Sequence, residues 1–220
     1  MKLHTVVISY NRLELTKQVI ETYHATVSVP HSIVVVDNGS DDDTVHWLQR
    51  SHALGMFGLI LLGRNFYPGY ACNRGFAWAA EDASFLHRQD NDFAFLPGWC
   101  DELWQAFQDP AVGQVGLRTD DEELNAPWNV GGCNVIRREL WDQGLRWDER
   151  PWSELGGTTE DYYWSQGVKN LGYRWTRVAR PSILTLASGD LTDPYYIESY
   201  GVRGIVNADE LRRQLGVREE

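Results

Sequence analysis

Continuous apolar runs alternate, in the first half of the chain, with segments whose apolar residues recur at helical spacing. The first three runs span residues 5–10, 32–36 and 59–62. Such runs, rich in β-branched residues, are typical of strands buried on both faces of a parallel sheet. Between the first two, the apolar residues of 15–23 share one face of a predicted helix, and Asn11 is its expected cap. The segment predicts a βαβ unit with a right-handed crossover.

The alternation continues to about residue 110 and then becomes less regular. Further helices are predicted over 41–49, 69–80, 99–107, 138–143 and 158–170, and further strands over 85–92, 112–117, 131–136 and 174–178. The acidic start of the helix at 41–49 suits the positive end of the helix dipole. The pattern predicts an α/β protein, in which ligands bind outside the carboxyl ends of the strands.

Two carboxylates, Asp90 and Asp92, follow the fourth apolar run with only Asn91 between them. In an extended segment residues i and i+2 point to the same side, so the two carboxylates can converge on one point. Such a pair suits a hard divalent cation, Mg²⁺ or Mn²⁺, shared with substrate phosphates. An isolated Asp-x-Asp in an acidic protein is also common as a plain surface turn, so the pair alone does not decide.

Composition narrows the classes of function. The length of 220 residues fits one domain, and the net charge of −11 disfavours nucleic-acid or anionic-membrane binding. The ten tryptophans can pack in a core or cover the C–H faces of sugar rings. Three widely spaced cysteines argue against a disulfide framework and fit a reducing compartment. Neither a signal peptide nor a transmembrane segment is expected, so a cytoplasmic protein is predicted.

The chain contains, in this order, Asp37, the Asp90/Asp92 pair and the Glu160-Asp161 pair. With these carboxylates in this order, the sequence resembles the GT-A-fold glycosyltransferases of the family 2 type. The matching segments are 6–12, 34–40, 65 with 69–75, 90–99, 131–138, 147–149 and 160–173. Each segment alone is weak evidence for the family, whereas all of them together, in the order and spacing of the family, are strong evidence. The resemblance implies a GT-A fold, which is a Rossmann-like, mostly parallel central sheet flanked by helices, with a smaller acceptor-side lobe.

The resemblance covers about residues 3–185 and implies a single catalytic domain over 1–190. Residues 1–115 would form its nucleotide-sugar half and 116–190 its acceptor half. The remaining residues, 191–220, are predicted to be a Tyr-rich and charged tail. This tail is a candidate to fold over the site or to mediate association, including formation of a homo-oligomer.

On the donor side, the resemblance implies a nucleotide-diphosphate sugar of the UDP, dTDP or GDP type. The residues implied to bind it are Ser9, Asn11, Asp37, Asn65, Gly69, Asn73, Asp90 and Asn91. Asp92 would ligate a Mn²⁺ or Mg²⁺ ion that bridges the two phosphates, with Asp90 beside it. The alternative for Asp37 is simple turn formation, and for the residues at 65–73 it is helix capping and packing.

On the acceptor side, the resemblance implies that Asp161 is the general base, which deprotonates an acceptor hydroxyl as it attacks the anomeric carbon with inversion. Glu160 is the second choice or an orienting residue, and both carboxylates also suit the first turn of a helix. Trp128, Gly132 and Trp152 are assigned to the acceptor side. The two tryptophans would stack on a sugar or simply pack. The acceptor itself stays open.

The sequence departs from the family pattern in two places. Cys72 stands where many relatives have an arginine that contacts uracil, which leaves a UDP preference open. Many relatives also have a metal-binding histidine after the last strand, but the last histidine here is His87. The metal would then be held by Asp92, phosphates and water, or also by Asp190 or Asp193.

Three other functions fit parts of this pattern. A retaining transferase on the same fold needs the Asp-x-Asp pair but no base at Asp161. A nucleotidyltransferase normally needs a Gly-rich phosphate loop with a basic residue after the first strand, which this sequence lacks. A catalytically degenerate glycan-binding or partner-binding protein would need neither Asp92 nor Asp161.

Overall fold

A computed structural model of the chain describes residues 2–125, 127–156 and 159–186. Its strands are β1 (Leu3–Ser9), β2 (His31–Asp37), β3 (Gly58–Leu61), β4 (Phe85–Asp90), β5 (Phe93–Phe95), β6 (Val112–Gly116), β7 (Asn134–Arg137), β8 (Arg174–Arg177) and β9 (Ile183–Thr185). Its helices are α1 (Leu13–Thr26), α2 (Thr44–Ala53), α3 (Tyr67–Ala77), α4 (Trp99–Ala106), α5 (Arg138–Asp142) and α6 (Glu160–Asn170), with 3₁₀ turns at Glu122–Leu124 and Trp152–Glu154.

Seven strands form one sheet in the order β3-β2-β1-β4-β7-β6-β8. Strand β7 runs antiparallel to both of its neighbours, and every other adjacent pair is parallel. The carboxyl ends of the other six strands therefore lie at one edge of the sheet, together with the start of β7. This arrangement confirms the predicted mostly parallel α/β sheet, and the edge is where its ligands are expected.

Both faces of the sheet are buried, as the continuous apolar runs predict. Adjacent residues of a strand point to opposite faces, so Val6 of β1 joins one core cluster and Val7 the other. Tyr23 and Trp99 are among the aromatic residues of the Val7 cluster. The Val6 cluster contains Trp164 and other residues that lie under the candidate site.

Several local predictions were wrong. Asn11 does not cap α1, because Asn11 and Arg12 both adopt left-handed backbone conformations and Arg12 occupies the N-cap position. The Asn11 side chain instead accepts a hydrogen bond from the backbone N–H of Asp41. Helix α2 begins only at Thr44, so the acidic residues precede its first turn.

The end of the described chain also differs from the prediction. Strand β8 is not the last one, since β9 follows and pairs with β5 in a separate two-stranded antiparallel sheet. The predicted tail and the two candidate metal ligands Asp190 and Asp193 lie outside the described residues. Among the described helices, none has the length and apolarity needed to cross a membrane.

His87 gives the fold a specific sensitivity to acid. It lies in β4, is fully buried, and its Nδ1 is 3.1 Å from Thr5 Oγ1. Burial lowers the pKa of His87 to about 3, whereas an unfolded chain titrates its histidines near 6.5. The stability due to the neutral ring is therefore complete above about pH 6.5 and is lost as the pH falls toward 3.

We expect the wild-type chain to lose about 2 kcal/mol more unfolding free energy between pH 8 and pH 5 than a His87→Leu variant. Urea unfolding at each pH measures the difference. His46→Leu, which replaces an exposed histidine of α2, should keep the wild-type pH dependence. Equal slopes for the wild type and His87→Leu would contradict the assignment.

Candidate active site

A buried arginine, Arg88, joins the two acidic pairs of the sequence at the carboxyl edge of the sheet. Its side chain is 2% exposed. Nη1 donates to Asp161 Oδ1 at 2.9 Å and Nη2 donates to Glu160 Oε1 at 2.9 Å. Nε and Nη2 each donate to Asp90 Oδ1 at 3.2 Å. The structure thus brings Asp90, Glu160 and Asp161 together around one guanidinium.

The guanidinium stays charged despite its burial. Burial alone would lower the pKa of Arg88, but the surrounding carboxylates of Asp90, Asp161 and Glu160 raise it well above its usual value. Its carbon lies 4.5 Å from the centre of the Trp147 ring, which stacks on Trp164 at 4.2 Å. Arg88 is therefore packed on an aromatic ring and surrounded by three carboxylates.

Glu160 and Asp161 open α6, but their surroundings differ. The Glu160 side chain is 4% exposed, and its Oε2 accepts a second hydrogen bond from Trp152 Nε1 at 2.7 Å. The Asp161 side chain is 13% exposed. Asp161 is therefore better placed to reach a substrate hydroxyl, and Glu160 is better placed to hold the arginine.

Asp92 lies in the turn after β4 rather than in an extended strand, so the simple i, i+2 geometry of the prediction does not apply. Arg12 Nη1 is 3.4 Å from Asp92 Oδ2. Asp92 Oδ1 is buried and accepts no hydrogen bond from the described residues. Burial and the negative charge of Asp90 raise the pKa of Asp92 to about 6, although Arg12 opposes the shift.

The carboxylates of Asp90 and Asp92 have the chemistry of divalent-cation ligands. Asp92 offers an unpartnered oxygen, Asp90 is 30% exposed, and oxygen is the donor that Mg²⁺ and Mn²⁺ prefer. Within the part of the chain that the structure describes, no group of three His, Cys, Asp or Glu side chains could hold a metal. Substrate or water oxygens would have to complete the coordination.

Gly132, assigned to the acceptor side, lies directly against the Asp90 carboxylate. A β-carbon at Gly132 would lie 1.8 Å from Asp90 Oδ2, a distance that no real contact allows. The adjacent Gly131 has a positive φ of 72°, and a β-carbon there would meet nothing within 4 Å. Gly132 is therefore required because the site has no room for a side chain, whereas Gly131 is favoured because the loop backbone has a positive φ there.

We expect Gly132→Ala to displace the Asp90 carboxylate and to lower kcat for the reaction that the sequence predicts by about 100-fold, the scale of a small misplacement of a reacting group. Gly131→Ala is the matched control. It should cost about 1 kcal/mol of stability through its left-handed backbone and leave kcat within a few-fold of wild type. Equal kcat values for the two variants would refute the role of Gly132.

The predicted residues at the first two strand ends make mainly loop contacts. Asp37 is buried, and its carboxylate accepts hydrogen bonds from the N–H groups of Gly39 and Ser40 at 3.1 Å each. These are the bonds of the turn-forming alternative. Ser9 Oγ is 3.2 Å from Thr16 Oγ1.

Thr16 also links the Asp-x-Asp turn to α1. Asn91 Nδ2 donates to Thr16 Oγ1 at 2.9 Å and to the Asn11 carbonyl at 3.3 Å. The loops after β1 and β4 are therefore tied together through Asn91. Its nucleotide contact remains a prediction, as do those of Ser9, Asn11 and Asp37.

The α3 residues fix the segment under the site. Asn73 Nδ2 donates to the Trp147 carbonyl at 3.0 Å and to Glu149 Oε1 at 2.8 Å, and its Oδ1 accepts from the Trp147 N–H. A β-carbon at Gly69 would lie 1.9 Å from the Asp148 carbonyl, so α3 packs closely on the same segment. These contacts support the packing alternative for Gly69 and Asn73.

The remaining predicted residues lie nearer the surface. Asn65 Oδ1 accepts from Asn38 Nδ2 at 3.0 Å and from the Tyr67 N–H at 2.8 Å. Trp128 is 61% exposed, whereas Trp152 is bound to Glu160 and lies edge-on to Tyr67 at 5.7 Å between ring centres. Trp152 is thus connected to the acidic cluster through Glu160, and Trp128 stands mostly exposed to solvent.

Sequence reasoning gave no role to Arg88 or Arg12. Arg88 had a usable signal, since an arginine inside a predicted buried strand requires acidic partners and shares a strand face with Asp90. Arg12 had none, because its approach to Asp92 depends on the left-handed turn before α1.

The comparisons with known proteins agree with this geometry. A family model described as Glycosyl transferase family 2 matches residues 5–160. The chain belongs to glycosyl transferase family 2. A search of the curated proteins found no match for this family 2 chain.

Solved structures show that the chain has the GT-A fold. One is the mannosyltransferase PcManGT from Pyrobaculum calidifontis in complex with GDP-Man and Mn²⁺, with a TM-score of 0.72, 16% identity, and coverage of 91% of this chain and 60% of that one. S. aureus TarS in complex with UDP-GlcNAc has a TM-score of 0.66 and 15% identity over 84% of this chain and 58% of that one.

A third similar structure is glucosyl-3-phosphoglycerate synthase from Mycobacterium tuberculosis in complex with Mn²⁺, UDP and glucosyl-3-phosphoglycerate. It has a TM-score of 0.62 and 15% identity over 100% of this chain and 81% of that one. This family 2 chain thus spans about three fifths of the mannosyltransferase and of that TarS structure.

Proposed function

We propose that this chain transfers a sugar from a nucleoside-diphosphate sugar to an acceptor hydroxyl, with inversion and with a divalent cation. The observation that carries the proposal is the contact of one guanidinium with both acidic pairs. Arg88 binds Asp90 of the Asp-x-Asp pair and Asp161 of the pair that opens α6. Donor-side and acceptor-side carboxylates therefore lie at one edge of the sheet.

Asp161 acts as the general base in this proposal. The acceptor oxygen forms a bond to the anomeric carbon while its proton passes to the Asp161 carboxylate. The bond between the anomeric carbon and the diphosphate oxygen breaks on the opposite face, and its electron pair leaves with the nucleoside diphosphate. A single displacement of this kind inverts the anomeric configuration.

Asp90 and Asp92 are the residues that would hold Mn²⁺ or Mg²⁺. A bound cation supplies positive charge to the diphosphate, which a chain of net charge −11 otherwise repels. The buried, unpartnered Asp92 Oδ1 supports this role. The three complexes of similar proteins contain GDP-Man, UDP-GlcNAc or UDP, and two of them contain Mn²⁺, which supports the same class of donor here.

Thermal unfolding with UDP, dTDP and GDP, each with and without Mn²⁺, tests the donor class. One nucleotide should raise the midpoint only when Mn²⁺ is present, with about 2.7 kcal/mol of stabilisation at a hundredfold excess over Kd. NMR of the product made from the matching sugar donor then gives the anomer. No shift with any nucleotide would favour a degenerate binding protein, and a retained anomer would refute inversion.

A further inference from the structure

We infer that Arg88 is a positioning residue that fixes the general base relative to the metal-site carboxylate. This inference rests on the proposed function and adds a residue to it. Arg88 contacts the reacting groups through Asp90, Glu160 and Asp161, and it acts through them rather than on the substrate.

The geometry of the guanidinium suits this task. Asp161 Oδ1 and Glu160 Oε1 each accept a hydrogen bond of 2.9 Å from different terminal nitrogens, while Asp90 Oδ1 lies 3.2 Å from Nε and Nη2. The nitrogens of a guanidinium are rigidly coplanar, so the positions of the carboxylates become linked. A lysine ammonium in the same place would supply charge without this fixed spacing.

The surroundings hold the arginine itself in place. Its 2% exposed side chain lies on the Trp147 ring, and Trp147 stacks on the fully buried Trp164 with an angle of 5° between the rings. Asn73 fixes the Trp147 backbone with two hydrogen bonds of 3.0 Å. A planar guanidinium packed on these stacked rings can tilt very little, so it can hold the bound carboxylates in fixed positions.

Glu160 completes the arrangement from the other side. It is bound both by Arg88 and by Trp152 Nε1, and its side chain is only 4% exposed. Glu160 therefore balances the arginine and holds the start of α6, while the neighbouring Asp161 remains more accessible. The contacts therefore give the two adjacent carboxylates different roles, since Glu160 holds the arginine and Asp161 can reach a substrate.

Arg88→Lys is the test variant, because it keeps a positive charge among the carboxylates and so protects folding. We expect kcat to fall about 100-fold while the donor KM changes less than tenfold, since the loss is in positioning rather than in donor binding. The assay is transfer or hydrolysis of the donor identified by the nucleotide screen, and the metal-dependent thermal shift should persist.

Arg137→Lys is the matched control. Arg137 lies at the opposite edge of the sheet, where it donates to the carbonyls of Val112, Phe107 and Asp109 and approaches the Phe107 ring at 5.3 Å. Like Arg88 it lies beside an aromatic ring, but it is only half-buried and its described partners are carbonyls. Arg137→Lys should lower the melting temperature and leave kcat within about twofold of wild type.

A double-mutant cycle separates positioning from a purely structural role. If Arg88 acts through the base, Arg88→Lys should cost less than about threefold in kcat when Asp161 is already asparagine. A full 100-fold loss in that background, or a folded Arg88→Lys with wild-type kcat, would overturn the inference alone. A wild-type chain that neither binds nor turns over any donor would refute the proposed function, and this inference with it.

Discussion

Replacing Asp161 with asparagine is expected to lower kcat for glycosyl transfer by about 10³-fold, within the range that a positioned general base supplies. The asparagine keeps the shape and can still accept the hydrogen bond from Arg88 Nη1, but it cannot take the proton of the acceptor hydroxyl. The proposed function assigns donor binding to other residues, so the metal-dependent thermal shift should remain. Single-turnover transfer and thermal unfolding measure the two effects.

Asp142→Asn is the matched control for this substitution. Asp142 Oδ1 also accepts an arginine hydrogen bond at 2.9 Å, from Arg138 Nε, but its side chain is 56% exposed on α5. An exposed pair of this kind contributes little to stability, and its loss should leave kcat unchanged. If Asp161→Asn kept more than a tenth of wild-type kcat, the base would be assigned wrongly and a retaining mechanism would gain support.

The central sheet could be predicted because its strands are simple. Strands β1 and β2 are buried on both faces over most of their length, so each appears as one apolar run. Helical spacing likewise located α1 and α4 to within a few residues. Burial dictates residue type most strongly in such elements, and a single sequence therefore records them well.

The errors occur where structure depends on distant partners. Strands β5 and β9 are three residues each and exist through pairing across about 90 residues of chain, as in the Phe93 and Thr185 pair. The left-handed backbone at Asn11 and Arg12 occurs without a glycine, the residue type that would have indicated it in the sequence. Local propensity cannot report either feature, because tertiary contacts determine both.

The sequence predicted the residue types of the candidate site but not the hydrogen bonds that connect them. The spacing of Asp90 and Asp92 suggests a metal site and the family resemblance implies a base at Asp161, whereas the hydrogen bonds that join Asp90 and Asp161 run through Arg88. That arginine is separated from Asp161 by 73 positions in the sequence. A single chain gives residue types at each position, and the pairing of buried charges requires the fold.

Asp92→Asn should abolish the metal-dependent thermal shift with nucleotide, because asparagine removes the anionic ligand of the proposed metal site. At the stabilisation expected for a hundredfold excess over Kd, about 2.7 kcal/mol would be lost. Asp82→Asn is the control, since Asp82 is 66% exposed, pairs with Lys2 and precedes the start of β4, whereas the site lies at the carboxyl end of that strand. It should keep the full shift.

The same variant should be more stable than wild type when nucleotide and metal are absent. The pKa of Asp92 is raised to about 6, so its protonated form stabilises the fold at low pH and this contribution is lost as the pH rises through 6. Asparagine imitates the neutral form at every pH. Urea unfolding at pH 7.5 should therefore give a gain of about 3 kcal/mol for Asp92→Asn, which disappears below about pH 4. A loss of both stability and thermal shift would indicate instead that Asp92 mainly holds Arg12 in the fold. A gain in stability with loss of the shift is the behaviour of a carboxylate kept for binding a cation at the expense of the free protein.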